Sequence, residues 1–404
     1  MNLPSHDTCH DSRPDSCPDS RPWHTVPHNK DDAAYQDMLT LANEGLLSIK
    51  EATEQKVYQG GTLILPFLSE PKSSVLVAQA WKKLVDKHSA IDFSILPISA
   101  SACSQTESEL LNAGFPVYCQ NSVLKAIKWD KLVRDGIIPI TTLDIDNLPK
   151  GRKGLTLLAG TLLSLRQNPN GWVMFHDSDV LNPKEYGALA AIIGMLGGNN
   201  ESNTCLMALS GPQRHNEPWT AHAGIVANTY GHSQRVKKIA QRLGRIVWPL
   251  SGERGFSADW VRKLPFALGM GIETILDVAS CEKEFDNNNT TYIQQIVGNV
   301  TKAERGTSDV RRENALITAC TLFLARLLEY LNQANSRPLW GLDLEGATIL
   351  NSQYSGTEVD IFVQPGEPGA QSVERIRRET ILPCIDELDA GGYIDWRIID
   401  VVLM

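Results

Sequence analysis

Two aspartates flank one serine in Asp177-Ser178-Asp179, directly after the apolar run Trp172-Val173-Met174-Phe175. Carboxylates are hard oxygen ligands. A pair of them suits a divalent cation such as Mg2+ or Mn2+, an ion that often carries substrate phosphates as well. The apolar run reads as a central strand of a parallel sheet, buried on both faces. Side chains two apart on extended chain point the same way, which predicts both carboxylates on one side of the strand end. Asn182-Pro183 then opens a helix, with Pro183 in its first turn. Ligands of open α/β sheets bind at this carboxyl edge of the strands. The same tripeptide also fits an ordinary strand-end turn, because Asp and Ser hydrogen-bond locally.

The elements that must position this pair alternate along the chain. Thr62 to Pro66 and Asp92 to Leu96 read as buried strands, with helices over 72–88 and 105–113. Phe115 to Tyr118 reads as a third strand, followed by a short helix and an Asp- and Pro-rich loop to 151. A helix to about 167, the organising strand, a helix over 183–197 and a strand at Cys205 to Leu209 complete the alternation. Such order means βαβ units and a Rossmann-like, mainly parallel α/β sheet. Beyond 210 come a polar loop, a basic helix over 233–245, a Gly-punctuated turn from Trp248 to Phe256 and a helix capped by Ser257 and running to Leu264. A helix over 272–279 follows. The C-terminal part predicts a helix over 311–333, a strand over 359–363, a helix near 371–388 and a final extended piece.

Composition bounds the rest. The chain has 404 residues, is 42% hydrophobic and carries a net charge of −9. That balance argues against wholesale binding to nucleic acid or an anionic membrane. No apolar run reaches the ~18 residues of a membrane span, and the polar, Pro-rich start lacks the apolar core of a secretory signal. The eight cysteines are scattered without C-x-x-C spacing, which points to reduced thiols and a cytoplasmic setting. Residues 1–30 carry near-repeats such as Asp11-Ser12-Arg13-Pro14 and Asp19-Ser20-Arg21-Pro22 and read as a disordered tail. The expected organisation is that tail, a lead-in helix within 31–60, one binding domain over 61–310 and a C-terminal helical and extended part over 311–404.

Three patches carry a resemblance. Lys150-Gly151-Arg152-Lys153-Gly154 is similar to a P-G-K-G-E loop, V-M-F-H-D-S-D-V-L-N-P to V-F-I-D-S-D-L-I-N-P, and Trp248 to Glu273 to Q-P-L-G-G-E-Y and V-P-F-A-P-G-Y-G-V-E. In that order they resemble the retaining glycosyltransferases that make glucosyl-3-phosphoglycerate, which have the glycosyltransferase A-type fold. Ordered agreement over 150–280 is more specific than any one motif. The resemblance implies Asp179 as the ligand of Mg2+ or Mn2+, and Asp177 and Ser178 facing the donor. Pro66, Leu68 and Glu70 stand at P-A-L-N-E, Ser101 after the second strand, and Lys153 on the base or ribose side. Glu253 and Glu273 would hold sugar or acceptor hydroxyls, with Gly252 in the same turn; Glu253 and Asp179 are the catalytic candidates. Two positions depart from the pattern: Ile98-Ser99-Ala100-Ser101 lacks the Asp of D-S-G-S, and Glu304 stands where the family places a metal-binding His.

The acceptor should be an anion. Between Arg214 and Lys263 stand nine basic and three acidic residues. Arg214 and Arg235 are the candidates for a bidentate grip on phosphate; Arg235 matches the Arg of the family's G-G-G-R-V-T. The expected activity is transfer of a hexose from UDP-glucose or GDP-mannose to 3-phosphoglycerate, a compatible-solute type of product, with a homodimer as the candidate assembly. The alternatives are a related transferase acting on glycerate or a sugar, and a non-catalytic nucleotide-binding protein on a degenerated transferase fold.

Overall fold

The structure, a computed structural model, describes residues 23–26, 61–67, 71–87, 93–100, 104–138, 153–179, 205–209, 233–243, 252–269, 271–282, 292–296, four positions between 324 and 331, and 380–404. The strands are β1 (Trp23–Val26), β2 (Gly61–Phe67), β3 (Phe93–Ser99), β4 (Tyr118–Cys119), β5 (Trp172–Phe175), β6 (Cys205–Leu209), β7 (Arg254–Ser257), β8 (Phe266–Ala267), β9 (Tyr292–Ile296) and β10 (Ile381–Leu382). The helices are α1 (Pro71–Lys87), α2 (Ser104–Asn112), α3 (Gln120–Leu124), α4 (Trp129–Arg134), α5 (Lys153–Gln167), α6 (Gln234–Leu243), α7 (Ala258–Val261), α8 (Ile272–Glu282), α9 (Ile385–Ala390) and α10 (Trp396–Leu403).

One eight-stranded sheet runs β1-β9-β6-β7-β5-β2-β3-β4. Its pairings are parallel except at β7, which is antiparallel to both β5 and β6. A mainly parallel α/β sheet is therefore what the sequence pattern led one to expect. The centre is apolar on both faces: Leu63, Ile64 and Leu65 of β2 and Val173 and Met174 of β5 are fully buried. From β2 the chain steps outward through β3 to β4, then returns to lay β5 on the other side of β2. That reversal is a topological switch point, and the crevice it leaves lies outside the carboxyl ends of β2 and β5.

Helix α5 is buried from Gly154 to Leu165, an apolar cylinder rather than an amphipathic one. It packs on β2, β3 and β5 on one side and on α3 and α10 on the other. Gly160 brings its backbone down onto the side chain of Ile64. Gly154 and Leu155 donate backbone hydrogen bonds to the carbonyls of Gly269 and Leu268, both at 3.0 Å, which docks the helix start on the segment after β8.

The end of the chain is tied into this body. β10 pairs antiparallel with β8, and Leu268 N–H donates to Thr380 O at 2.9 Å. Gly392, at φ 66°, closes α9 in the left-handed conformation and turns the chain so that Tyr393 O accepts from Lys128 N–H. Asp395 N–H then donates to Ala126 O at 2.8 Å. Helix α10 lies along α5, where Arg166 grips Asp400 through two hydrogen bonds of 2.6 and 2.8 Å. Leu324, Leu327, Leu328 and Leu331, spaced as one helical stripe, are helical and fully buried.

Several expectations need correction. Residues 1–30 do not all lack structure: Trp23–Val26, β-favouring residues bracketed by prolines, form an edge strand on β9. Part of the turn expected over 248–256 is strand β7, since Arg254 and Gly255 break the apolar pattern that marks strands. The third strand is short and shifted to Tyr118–Cys119. Within the span expected as a helix over 371–388, residues 381–382 form β10 and helix begins only at Ile385, because Pro383 interrupts it and Glu387 caps α9 from its first turn; residues 371–379 lie outside the described residues. The last piece is helix α10, not extended; Asp395 caps it, and its β-branched residues pack as one helical face. The expected helices over 31–60 and 183–197 and the strand over 359–363 lie outside the described residues. Among the described residues no helix is long and apolar enough to cross a membrane.

A methyl group at residue 154 would press into the carbonyl of Ala267, which is backbone and cannot swing away. Gly154→Ala should therefore destabilise the protein by about 1–3 kcal/mol, against the stabilisation of up to about 1 kcal/mol usual for this change inside a helix. Urea denaturation measures it, and a variant as stable as the wild type would show that the segment after β8 yields.

Candidate functional site

Four stretches meet at the carboxyl edge of the switch point. The turn 176–179 leaves the end of β5. The start of α5 supplies Lys153. β7, being antiparallel to β5, begins where β5 ends, with Arg254 opposite Phe175, so Gly252 and Glu253 fall beside the β5 turn. The first turn of α8 supplies Glu273.

One interaction at this edge joins three residues distant in sequence. Lys153 Nζ donates to Asp177 Oδ1 at 2.5 Å and to Glu273 Oε1 at 2.6 Å. All three side chains are largely shielded, at 26, 15 and 13% exposed. Burial works against the ammonium, but the charges of Asp177 and Glu273 and their hydrogen bonds outweigh it and hold the Lys153 pKa above the ordinary lysine value. Its share of stability is thus present at neutral pH and is lost only as pH rises above the normal lysine range. A cation at a helix start opposes the helix dipole, and the two carboxylates offset that cost. Glu273, in the first turn of α8, is on the favourable end of its own dipole.

The other carboxylates sit deeper. Asp179 is 6% exposed, Ser178 7% and Glu253 1%. Gly252 lies against the carboxylate of Asp177, where any side chain would collide; glycine there is a packing requirement of the site. His176 is fully buried. Its backbone N–H donates to Ile64 O at 3.1 Å, and its ring stands edge-on to Trp81 at 5.8 Å. Nδ1 lies 2.7 Å from the carbonyl of Asp177. A carbonyl can only accept, so Nδ1 carries the proton and pins the turn bearing the two aspartates.

Behind this edge lies a second ion pair. Arg254 and Asp277, 1% exposed each, face one another through both guanidinium nitrogens, Nη2 reaching Oδ2 at 3.2 Å and Nη1 donating to Oδ1. Burial pushes the Asp277 carboxyl up to about 6, with the Arg254 charge and hydrogen bond pulling the other way and the charge of Glu273 adding to the rise. Sequence reasoning missed this pair. Arg254 was counted only within the basic stretch, and Asp277 was not singled out. Its one signal was the four-residue spacing from Glu273, which puts two acids on one face of α8.

The structure thus brings together Lys153, Asp177, Gly252 and Glu273, with Ser178, Asp179 and Glu253 alongside in sequence. Pro66 is half-buried within β2, two residues before the strand's carboxyl end is passed. The two aspartates are not equivalent, as the strand-end pattern had suggested: Asp177 carries an ammonium. Arg235 is half-buried in the first turn of α6, which packs on α8. The basic stretch is less free than its charge count implied, because Arg254 is consumed by Asp277 and Lys263 is paired with Asp259 at 2.8 Å. Leu68, Glu70, Ser101, Arg214 and Glu304 lie outside the described residues. Among the described residues no cluster of three or more His, Cys, Asp or Glu side chains forms a ready-made cation site. Asp179, a buried hard-oxygen donor at the strand end, fits Mg2+ or Mn2+ in chemistry; Asp177, already on Lys153, fits less well.

Lys153→Met would leave two shielded carboxylates facing each other without a cation. It should cost about 3 kcal/mol, and Lys153→Met/Glu273→Gln should recover part of that loss, because it removes one of the two stranded charges. Equal stability of the two variants in urea would show that the carboxylates do not share the ammonium. A second expectation concerns pH. With the Asp277 pKa raised to about 6, the folded state holds a proton there that the unfolded chain has already lost. That contribution is present below about pH 4 and disappears as pH rises through about 6. The variant Arg254→Met/Asp277→Leu lacks it, so it should gain on the wild type by on the order of 2–3 kcal/mol between pH 4 and 7. A pH-independent difference would contradict the raised carboxyl.

No family model matches the sequence, and no curated protein matches it. Among solved structures, glucosyl-3-phosphoglycerate synthase from Mycobacterium tuberculosis with Mn2+ and UDP-glucose is similar at 18% identity and a TM-score of 0.49, over 76% of this chain and 88% of that chain. The same enzyme with Mn2+, UDP-glucose and phosphoglyceric acid is similar at 18% identity and a TM-score of 0.48, over 75% of this chain and 87% of that one. Similarity at that level assigns neither a donor nor an acceptor to this chain.

Proposed function

We propose that this protein is a metal-dependent retaining glycosyltransferase. It moves a hexose from a nucleotide-sugar, UDP-glucose or GDP-mannose, to a small anionic acceptor, with 3-phosphoglycerate first among the candidates. One observation carries the reading: Lys153, Asp177, Gly252 and Glu273, scattered over 120 residues of sequence, converge on the switch-point edge where sheets of this class take ligands. They are also positions that the motif resemblance singles out. The proposed setting is cytoplasmic, with residues 61–310 as the catalytic domain and 311–404 as a packing extension.

Mg2+ or Mn2+, held by Asp179 with Glu304 as the expected second ligand, would supply the charge that stabilises a departing nucleoside diphosphate. The chain's own residues do the rest by position. Asp177, held on Lys153, would take the ribose hydroxyls, and Pro66, Leu68, Glu70, Ser101 and Ser178 would line the nucleoside side. Glu253 and Glu273 would accept from hydroxyls of the sugar or acceptor and so fix their approach. Arg235 and Arg214 would grip the acceptor's anionic group. With no side chain as nucleophile, the acceptor hydroxyl itself would attack C1 of the hexose from the leaving-group face as the bond from C1 to the diphosphate breaks, its proton passing to the departing diphosphate oxygen, and orientation supplies most of the acceleration.

A thermal-shift screen of nucleotide-sugars with and without Mn2+, followed by nucleotide release with 3-phosphoglycerate, glycerate or no acceptor, tests the reading. The expected result is metal-dependent stabilisation and release that requires the anionic acceptor. Asp179→Ala should lower turnover by about a hundredfold or more and abolish metal-dependent nucleotide binding, with an unchanged circular dichroism spectrum. Binding without turnover would favour the non-catalytic alternative, and full activity of Asp179→Ala would remove its role.

A further inference from the structure

Arg254 and Asp277 form a bidentate pair in the core, remote from solvent, yet each lies one short step from the site. Arg254 directly follows Glu253 and Gly252, and Gly252 abuts the carboxylate of Asp177. Asp277 lies one helical turn beyond Glu273 on α8, and Glu273 is bound through Lys153 to the same Asp177. The contacts close a ring: Asp177, Lys153, Glu273, down α8 to Asp277, across to Arg254, and back along two residues of chain to Gly252. The pair ties β7 directly to α8 on top of their shared apolar core, whereas the ring's other link between them runs through a lysine with a flexible stem.

We propose that the Arg254–Asp277 pair is a positioning device that sets Glu253 and Glu273 at a fixed separation across the acceptor side of the site. The inference rests on the transferase reading above. A buried ion pair need not add stability, since desolvation of both charges can exceed their attraction. The raised Asp277 carboxyl is consistent with that net cost. The planar guanidinium fork, by contrast, fixes direction as well as distance in a way an apolar contact does not. The resemblance motif has Tyr where Arg254 stands, so the device belongs to this chain's own residues.

The experiment compares wild type, Arg254→Lys and Arg254→Met/Asp277→Leu by melting temperature, UDP affinity with Mn2+, steady-state kinetics and crystal structure. The apolar pair should fold with a melting temperature at or above that of the wild type. Its kcat/KM for the acceptor should fall about tenfold or more, with UDP affinity within about twofold, because the nucleotide side hangs on the β5 turn. Arg254→Lys, which keeps the charge but loses the fork, should fold and lie between the two. Should the apolar pair fail to fold, Arg254→Lys decides alone: acceptor kcat/KM lowered at an unchanged melting temperature supports the device, and unchanged kinetics overturns it. A folded apolar pair with wild-type kinetics also overturns it. If the wild type transfers no sugar, the transferase reading fails while the crystal structures still decide this inference. Displacement of Glu253 and Glu273 relative to Asp177 in the variant supports it, and unmoved carboxylates overturn it.

Discussion

The ammonium of Lys153, shared between Asp177 and Glu273, is the interaction on which the site depends. It joins the ends of three elements that the chain makes far apart: the start of α5, the end of β5 and the start of α8. Two carboxylates at a sheet edge repel each other and would drift into solvent. A single cation between them turns repulsion into a bracket, and its partial burial makes the attraction stronger than it would be in water. The bracket leaves the site with one more negative than positive charge before Asp179 and Glu253 are counted, which is the balance a bound cation would complete.

The bracket works because the backbone beneath it is rigid. Helix α5 is buried along almost its whole length, held against β2 through Gly160 and against the segment after β8 through Gly154. Leu268 of that segment is in turn bonded to Thr380, and β8 before it is paired to β10, so residues 380–382 support the position of the start of α5. Arg166 and Asp400 fasten the far end. The C-terminal part is in this sense structural support for Lys153, although it lies far from it in sequence.

Helix α8 links the visible site to the hidden one. Its acids at 273 and 277 are separated by about 6 Å along the helix, one reaching Lys153 at the edge and the other reaching Arg254 within the sheet layer. The reversed direction of β7 makes this possible. A parallel strand would begin at the opposite edge and carry Gly252 and Glu253 away from Asp177.

The sequence alone determined the layers. Continuous apolar runs at 62–66 and 172–175, alternating with helical periods, are enough to require a parallel sheet with helices on its faces, because such strands cannot meet water on either side. It also located the acidic turn after β5, the helix starting at Lys153 and the Ser257 cap, since these depend on neighbours within a few residues. The tertiary structure decided everything that depends on distance. β7 did not read as a strand because its charged Arg254 is buried only by virtue of Asp277 on another element. β1 did not read as structured because its partner, β9, lies more than 260 residues later. α10 read as extended because its β-branched residues show their helical face only once α5 supplies a surface. The pairing of Lys153 with both Asp177 and Glu273 could not be read either. A lysine followed by glycine at a helix start has the same local sequence whether it faces solvent or two acids, and only the folded chain brings those acids to it.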